Sequence, residues 1–442
     1  MAGLRSKYEV QLAGLRGSDI AKAGGLAGAM IANNVIALGS TVVFARLLSD
    51  YGSLAALISY FLILGVAGQA LQVATAREGV LGHLGVGPAL ISTLRSWTRT
   101  MAWVTAVLTL ISILLRQPIA DAVGVKHDAW AAAVGLPAGC LWLELSILRG
   151  ALQGVGDYKT VGLSLIGEQG FRLVIGAALA AIGLGVTGAY LGSPLSFVAI
   201  GAYCVVQLRA YAREGHESGA QAQAPPAAFG LGTHVARAWA PIAGLIVIAV
   251  LQNIDIIAAK HNFTSTKDLA SSYAATAVAA KVLIWVAIGA GFYLVPEVSR
   301  RRAAGEDTRP VLARALGIIL VCAVPVLLIF AFGSTPLLRA AFGAKRLEAS
   351  GSLFILGVAF TALAATYLAV QYMLALKRTW FLIPLAAVAV AEPILLLQAS
   401  NRPNGFAAVV LAVQVVGAVL AFGLALRREP APAPRAARPE PA

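Results

Sequence analysis

The sequence predicts an all-α integral membrane protein of about 12 transmembrane helices. Three observations carry this. Of the 442 residues 59% are hydrophobic and 12% charged, the mean hydropathy is +0.81, and the apolar residues fall in long uninterrupted runs. A soluble domain carries about 25% charged residues, so this chain lacks the polar surface that water demands. A helix crossing ~30 Å of hydrocarbon needs about 20 apolar residues, and backbone in lipid must satisfy its own hydrogen bonds. Runs of that length without alternating patterning call for helices and not a barrel. The same composition excludes disordered, collagenous and disulfide-stapled classes. Cys140, Cys204 and Cys322 all lie inside apolar runs and read as small hydrophobes.

The spanning runs lie at 21–48, 53–76, 97–115, 129–153, 159–183, 186–208, 236–259, 269–297, 311–332, 350–375, 379–398 and 405–426. The first is too long for the apolar region of a signal peptide and is expected to stay as a helix. Lys and Arg set the orientation, because positive loops stay in the cytoplasm. Of the 34 Lys and Arg, 23 fall in one set of alternate loops that includes both termini. Both termini are therefore expected in the cytoplasm, which requires an even number of crossings. The net charge of +14 follows from that topology, and no basic soluble module exists to bind nucleic acid.

Composition divides the chain further. Residues 1–20 form a cytoplasmic N-terminal segment, 21–210 a first six-helix half, 211–234 a cytoplasmic linker and 235–427 a second six-helix half. Residues 428–442, rich in Pro, Ala and Arg, read as a disordered tail. The halves resemble each other. Helix three leads to Pro118–Gly124 and helix nine to Pro336–Gly343, each read as a short helix at the external surface. Two six-helix copies share one orientation, which predicts pseudo-symmetric halves around a central cavity. Pro241, Pro384 and Pro393 are expected to kink their helices.

An ionisable side chain at membrane depth costs ~2.5 to 3.5 kcal/mol and so needs a partner or a purpose. Glu144, Glu168, Arg172, Asp255, Lys281 and Glu392 meet that description. Glu168 and Arg172 are four apart on one helix face and are expected to form a structural ion pair. Lys281 has no acid one turn away, so it either pairs with Asp255 on the neighbouring helix or contacts an anion in the cavity. The amides Asn33, Asn34, Gln69, Gln72, Gln252 and Asn253 sit in matching helices of the two halves and supply both donors and acceptors for sugar hydroxyls. The stretch Gly154–Thr160 lacks the Gly-Lys-Ser/Thr of a Walker loop, and the five histidines form no zinc-type cluster. No cofactor, metal or catalytic residue is expected.

Several ordered motifs carry a resemblance: Phe44-Ala45-Arg46-Leu47-Leu48-Ser49-Asp50-Tyr51-Gly52, Leu148-Arg149-Gly150-Ala151-Leu152-Gln153-Gly154 with Asp157-Tyr158, Asn253-Ile254-Asp255, Ser272-Tyr273-Ala274-Ala275 with Lys281, and Pro296-Glu297-Val298-Ser299-Arg300. In this order the chain resembles the polysaccharide or O-antigen flippase branch of the multidrug/oligosaccharidyl-lipid/polysaccharide (MOP) exporter superfamily. The resemblance implies a V-shaped, non-enzymatic transporter that moves an undecaprenyl-linked glycan across the bacterial plasma membrane. Its expected partners are membrane lipids, the lipid-linked glycan and glycan polymerase or assembly proteins.

On that implication Lys281, with Arg172 or with Arg46 and Lys260 at the external rim, holds the anionic head group, and the amides line the glycan's path. Coupling is expected from the membrane potential or from protonation of Asp255, Glu144 or Glu392. Related lipid II flippases place several arginines in the first-half cavity, whereas helix one here offers Asn33 and Asn34, which suits a neutral glycan. Two other readings stand beside this one: a cation-coupled multidrug exporter of the same superfamily, and a membrane-embedded glycan polymerase, ligase or envelope-assembly scaffold.

Overall fold

The computed structural model describes residues 19–217, 230–264 and 267–427. The N-terminal segment up to residue 18, residues 218–229 of the predicted linker and the C-terminal tail lie outside the described residues. The described residues are almost wholly helical and contain no strand.

The first group of helices is α1 (Asp19–Leu47), α2 (Tyr51–Gly65), α3 (Ala67–Val80), α4 (Pro88–Leu114), α5 (Arg116–Val123), α6 (Ala129–Gly154), α7 (Tyr158–Leu179) and α8 (Gly185–Glu217). A short helix of about two turns, α9 (Leu231–Arg237), leads into the second group. That group is α10 (Trp239–Asn262), α11 (Lys267–Ala280), α12 (Val282–Ala303), α13 (Arg309–Phe342), α14 (Leu353–Ala375), α15 (Leu382–Leu397) and α16 (Pro403–Ala425). Each group packs mainly within itself, and the two meet chiefly where α2 lies against α10 and α11.

Ten stretches among the described residues are long and apolar enough to span a membrane. One of them, Tyr158–Arg213, is α7 and α8 folded back on each other. The reversal occurs at Gly183 (φ 105°) and Gly185 (φ 51°), left-handed conformations that glycine adopts without steric cost. Past it, Gly176 faces Ala189 and Gly192 faces the Arg172 carbonyl, the register of an antiparallel hairpin. Adding this second limb and the shorter apolar α15 gives the twelve crossings that the hydropathy predicts.

The differences from the predicted elements have local causes. Helix α4 begins at Pro88 rather than 97, because its first three turns carry the exposed polar residues Ser92, Arg95, Ser96 and Arg99 and so escape an apolar count. The predicted external helix at Pro118–Gly124 is α5, ended by Gly124 at φ 79°. Its counterpart at Pro336–Gly343 is not a separate element but the last turns of α13, set off by non-helical backbone at Gly333. Pro241 and Pro384 fall in the first turns of α10 and α15, where a missing N–H costs no helical hydrogen bond. The second crossing of each group is broken, at Val66 between α2 and α3 and at Lys281 between α11 and α12.

The loops rich in Lys and Arg gather on one face. There Arg309 donates to the Leu426 carbonyl at 3.1 Å, Arg378 to the Ala425 carbonyl at 3.2 Å, and the Thr308 and Tyr372 hydroxyls lie 2.7 Å apart. We call this the basic face and its opposite the far face.

A Cβ at Gly192 would sit 2.6 Å from the Arg172 carbonyl oxygen and 2.8 Å from Gly176 Cα, whereas Gly201 has open space around it. Gly192→Leu is expected to destabilise the protein by about 1 to 3 kcal/mol or more through overpacking. Gly201→Leu should leave thermal unfolding in detergent nearly unchanged.

Candidate functional site

Membrane-depth ions assemble in two interior clusters, one in each helix group. In the second group, Asp255 of α10 is fully buried and Lys281 is 6% exposed. Lys281 lies at the break between α11 and α12, where its Nζ reaches Asp255 Oδ1 at 3.0 Å and stands 5.1 Å from the Phe360 ring. The Tyr273 hydroxyl donates to Asp255 Oδ2 at 3.3 Å. Of the two roles expected for Lys281, this geometry takes the ion pair with Asp255. Glu392 of α15 is fully buried nearby and accepts from Gln414 Nε2 at 2.9 Å, while Gln414 also donates to the Leu251 carbonyl at 2.8 Å. Glu392 Oε2 is buried without a hydrogen-bond partner.

In the first group the expected Glu168–Arg172 pair does not form. Arg149 of α6, with no exposed surface, takes Glu168 instead: its Nη1 meets Glu168 Oε2 at 2.9 Å, while Nε and Nη2 donate to the Ser164 hydroxyl and carbonyl, both at 2.8 Å. The reason is directional. Ser164 and Glu168 are one turn apart on α7 and present a matched set of acceptors to a guanidinium arriving from α6. Arg149 lies inside α6, more than a turn before its end at Gly154.

Arg172 is left without an ion pair or hydrogen bond among the described residues and is half-buried. It lies 14 residues into α7, about 21 Å along the helix at 1.5 Å per residue. The ionisable groups within electrostatic reach are Glu168, Tyr190 and Tyr51. Tyr190 is 1% exposed, and its hydroxyl has no hydrogen-bond partner.

The remaining candidates separate. Glu144 of α6 accepts from the Thr98 hydroxyl of α4, and its Oε2 is buried and unpartnered. Asn253 is turned back onto its own helix, donating to the Ala249 carbonyl at 2.9 Å. Asn33 donates to Asn34 at 3.3 Å, and both are half-buried. Gln72 and Gln252 are half-buried and Gln69 is exposed.

Arg46 and Lys260, expected to face a head group, are engaged in contacts between the helix groups at the far face. Lys260 Nζ bridges both Asp50 oxygens at 2.8 and 3.0 Å. Arg46, in the last turn of α1, donates to the Ala340 and Ala341 carbonyls near the end of α13. Arg346, just beyond α13, reaches the other way, to the carbonyls of Leu48 at 2.7 Å, Ser49 at 3.1 Å and Ala45 at 3.4 Å. Helix C-termini present unsatisfied carbonyls and partial negative charge, so each guanidinium caps the other group's helix. Gly52 N donates to the Ser271 hydroxyl at 2.9 Å, and His261 Nε2 lies 3.0 Å from the Ala122 carbonyl oxygen.

At the basic face a third contact joins the groups. His234 of α9 is 1% exposed, stacks on Trp97 at 4.9 Å and places Nε2 3.0 Å from the Thr75 hydroxyl. Burial holds its imidazole pKa below the ordinary value.

Sequence reasoning did not single out Arg149, Arg346, Tyr190 or Gln414. Arg149 carried a readable signal, since Leu145–Leu148 and Gly150–Leu152 continue the apolar run on both sides of it. Arg346 carried none, because its partners are backbone carbonyls some 300 positions away.

No protein-family model matches the sequence, and no curated protein matches it. Solved structures do. A multidrug resistance MATE family transporter of the MOP superfamily, in an inward-facing conformation, superposes with a TM-score of 0.69 at 12% identity, covering 89% of this chain and 93% of that one. The lipid II flippase MurJ, in an inward closed conformation, gives 0.68 at 16% identity, covering 90% of this chain and 87% of that one. The eukaryotic MATE transporter AtDTX14 gives 0.57 at 15% identity, covering 92% and 96%. The chain has the fold of these MATE and MurJ transporters. Within that fold, the two ion clusters lie one in each helix group and the reciprocal arginine caps lie between them.

Two tests follow from this geometry. Glu168→Gln leaves Arg149 buried without a counter-charge and is expected to cost about 3 to 5 kcal/mol in thermal unfolding, whereas the double variant Arg149→Met with Glu168→Leu should regain most of it. Asp50 lies outside the spanning helices. Burial opposes its ionisation, but the hydrogen bond and charge of Lys260 and the bonds from Ser53 outweigh that and hold its pKa below the usual 3.8. Its stabilising contribution is therefore complete above pH 3.8 and lost as pH falls through the lower folded value. Far-face closure, read by thiol labelling beneath it, should be flat with pH near neutrality and loosen only in strong acid. Asp50→Asn should abolish that acid transition.

Proposed function

We propose that the protein is a flippase that moves an undecaprenyl-linked glycan, a polysaccharide repeat unit, across the bacterial plasma membrane by alternating access. The observation that carries this reading is Arg172, a membrane-depth guanidinium with no ion pair or hydrogen bond among the described residues. A permanent cation at that depth is costly unless an anion visits it, and a lipid-linked pyrophosphate is such an anion. The unpartnered Tyr190 hydroxyl beside it adds a neutral donor. On this reading the basic face is cytoplasmic, with both termini there. The glycan passes between the helix groups, where Asn33, Asn34, Gln69, Gln72 and Gln252 offer amides to its hydroxyls, and the prenyl chain stays in lipid.

The same reading gives Lys281 a supporting role and not a head-group contact, because its charge is matched by Asp255 at 3.0 Å. Among the coupling candidates, Asp255 already holds a counter-ion. Glu392 has one oxygen bonded to Gln414 and one without a partner, and so has the vacancy to carry a proton. Movement of that proton between the two conformations would link transport to the proton gradient.

A second reading, a cation-coupled multidrug exporter, draws on a different observation: Glu144 and Glu392 each bury a carboxyl oxygen without a partner, and such groups attract cations. One experiment separates the two. The protein is reconstituted in vesicles with a labelled undecaprenyl-pyrophosphate glycan, and the access of an external glycan-modifying enzyme is followed. Arg172→Gln is expected to lower the initial rate about 10-fold or more, the scale of a lost charged hydrogen bond, without changing the melting temperature. Full-rate movement in that variant would overturn the role of Arg172. Efflux of an organic cation with no glycan movement would favour the exporter.

A further inference from the structure

Three cations at the far face, Arg46, Lys260 and Arg346, hold partners in the opposite helix group. Lys260 of α10 holds Asp50, which begins α2; Arg46 of α1 holds the end of α13; Arg346, beyond α13, holds the end of α1. Arg346 is 3% exposed and also meets Asp268 at 3.2 Å. Around these ions the seal is tight. A Cβ on Gly52 would lie 3.1 Å from Ser271 N, and one on Gly124 would lie 3.1 Å from Lys260 Cγ. Phe44, Ala45, Leu48 and Tyr51 are nearly fully buried beneath them.

The geometry points to a charge-operated gate whose cations, Arg46, Lys260 and Arg346, form an anion-binding site when it opens. Resting on the flippase reading above, the ligand is the phosphate-bearing head group of the transported lipid. Separating the helix groups at this face breaks all three contacts at once, because each runs between groups. Lys260 then loses its carboxylate and the two guanidiniums lose several helix-end carbonyls, Arg346 keeping Asp268 of its own group. Water compensates the exposed Arg46, but Lys260 and Arg346 are largely buried at the edge of hydrocarbon, where an arriving anion lowers the cost of opening more than water does. The path to them is short in charge terms. Tyr51 lies within electrostatic reach of both Arg346 at the gate and Arg172 below it. A head group leaving Arg172 therefore meets a second set of cations whose present ligands, a carboxylate and clustered carbonyl oxygens, occupy the positions that phosphate oxygens would take.

This gate differs from a passive plug in responding to charge exchange. In a background with Cys140, Cys204 and Cys322 replaced by Ala, the fully buried Ser271 is changed to Cys, and labelling by a membrane-impermeant maleimide is timed from each face of sealed vesicles. Asp50→Lys and Lys260→Asp are each expected to raise far-face labelling about 10-fold. The combined swap, Asp50→Lys with Lys260→Asp, should return it to within about 2-fold of the parent, which also shows that the single variants fold. Labelling unchanged by the single reversals, or not restored by the swap, overturns the gate.

For the parent gate, vesicles containing undecaprenyl pyrophosphate are expected to raise labelling several-fold, whereas the same concentration of free inorganic pyrophosphate should not. A response to free pyrophosphate alone would overturn the lipid as the source of the anion. No response to the lipid, in protein that moves labelled glycan, overturns the anion site while leaving the flippase reading intact. No glycan movement in folded protein with a working gate overturns the flippase reading itself.

Discussion

Charge buried in hydrocarbon has to be matched within the protein, and two pairs, Arg149 with Glu168 and Lys281 with Asp255, satisfy most of that demand here. Each pair also fastens helices together. Arg149 ties α6 to α7 through three donors, while Lys281 ties the break between α11 and α12 to α10, with Tyr273 and Phe360 closing around it. Once those pairs form, the unmatched groups stand out. Arg172, Glu144 and Glu392 are the interior ions whose environment is incomplete, and the functional reading follows from them.

A second constraint acts between the helix groups. Alternating access, as proposed above, needs contacts strong enough to hold one state and reversible enough to leave it. Long-range hydrogen bonds and ion pairs at the far face suit that requirement better than apolar packing, because their partners can be exchanged for another anion or for water. Reciprocal capping makes the contact cooperative: Arg46 and Arg346 each depend on the other group's helix end remaining within reach. At the basic face, the stacked and buried His234 keeps α9 on the first group even though α9 leads directly into α10.

The legible parts of this architecture were those written in local composition. Apolar runs gave the crossings, including the hairpin of α7 and α8, because each residue in lipid contributes its transfer cost independently of its neighbours. Helix ends were less legible. The polar first turns of α4 are helical for reasons of packing, and α13 continues through Gly333 because a backbone bend can keep a helix going where composition suggests a stop. Site residues were legible by type and not by partner. The depth of Lys281 leaves open an ion pair with Asp255 or an anion contact, and only the 3.0 Å separation chooses between them; the one-turn rule pairs Glu168 with Arg172, whereas a better-oriented guanidinium stands on α6.

The sequence by itself determined that this chain lives in lipid, that it crosses about 12 times and that a handful of ions lie within the spans. Tertiary structure decided which of those ions are neutralised, and it set Arg46 and Lys260 in contacts between the helix groups at the far face. The physical reason is range. Hydropathy is a sum over adjacent residues, whereas a salt bridge or a helix cap is set by direction and distance between segments that can be 300 positions apart.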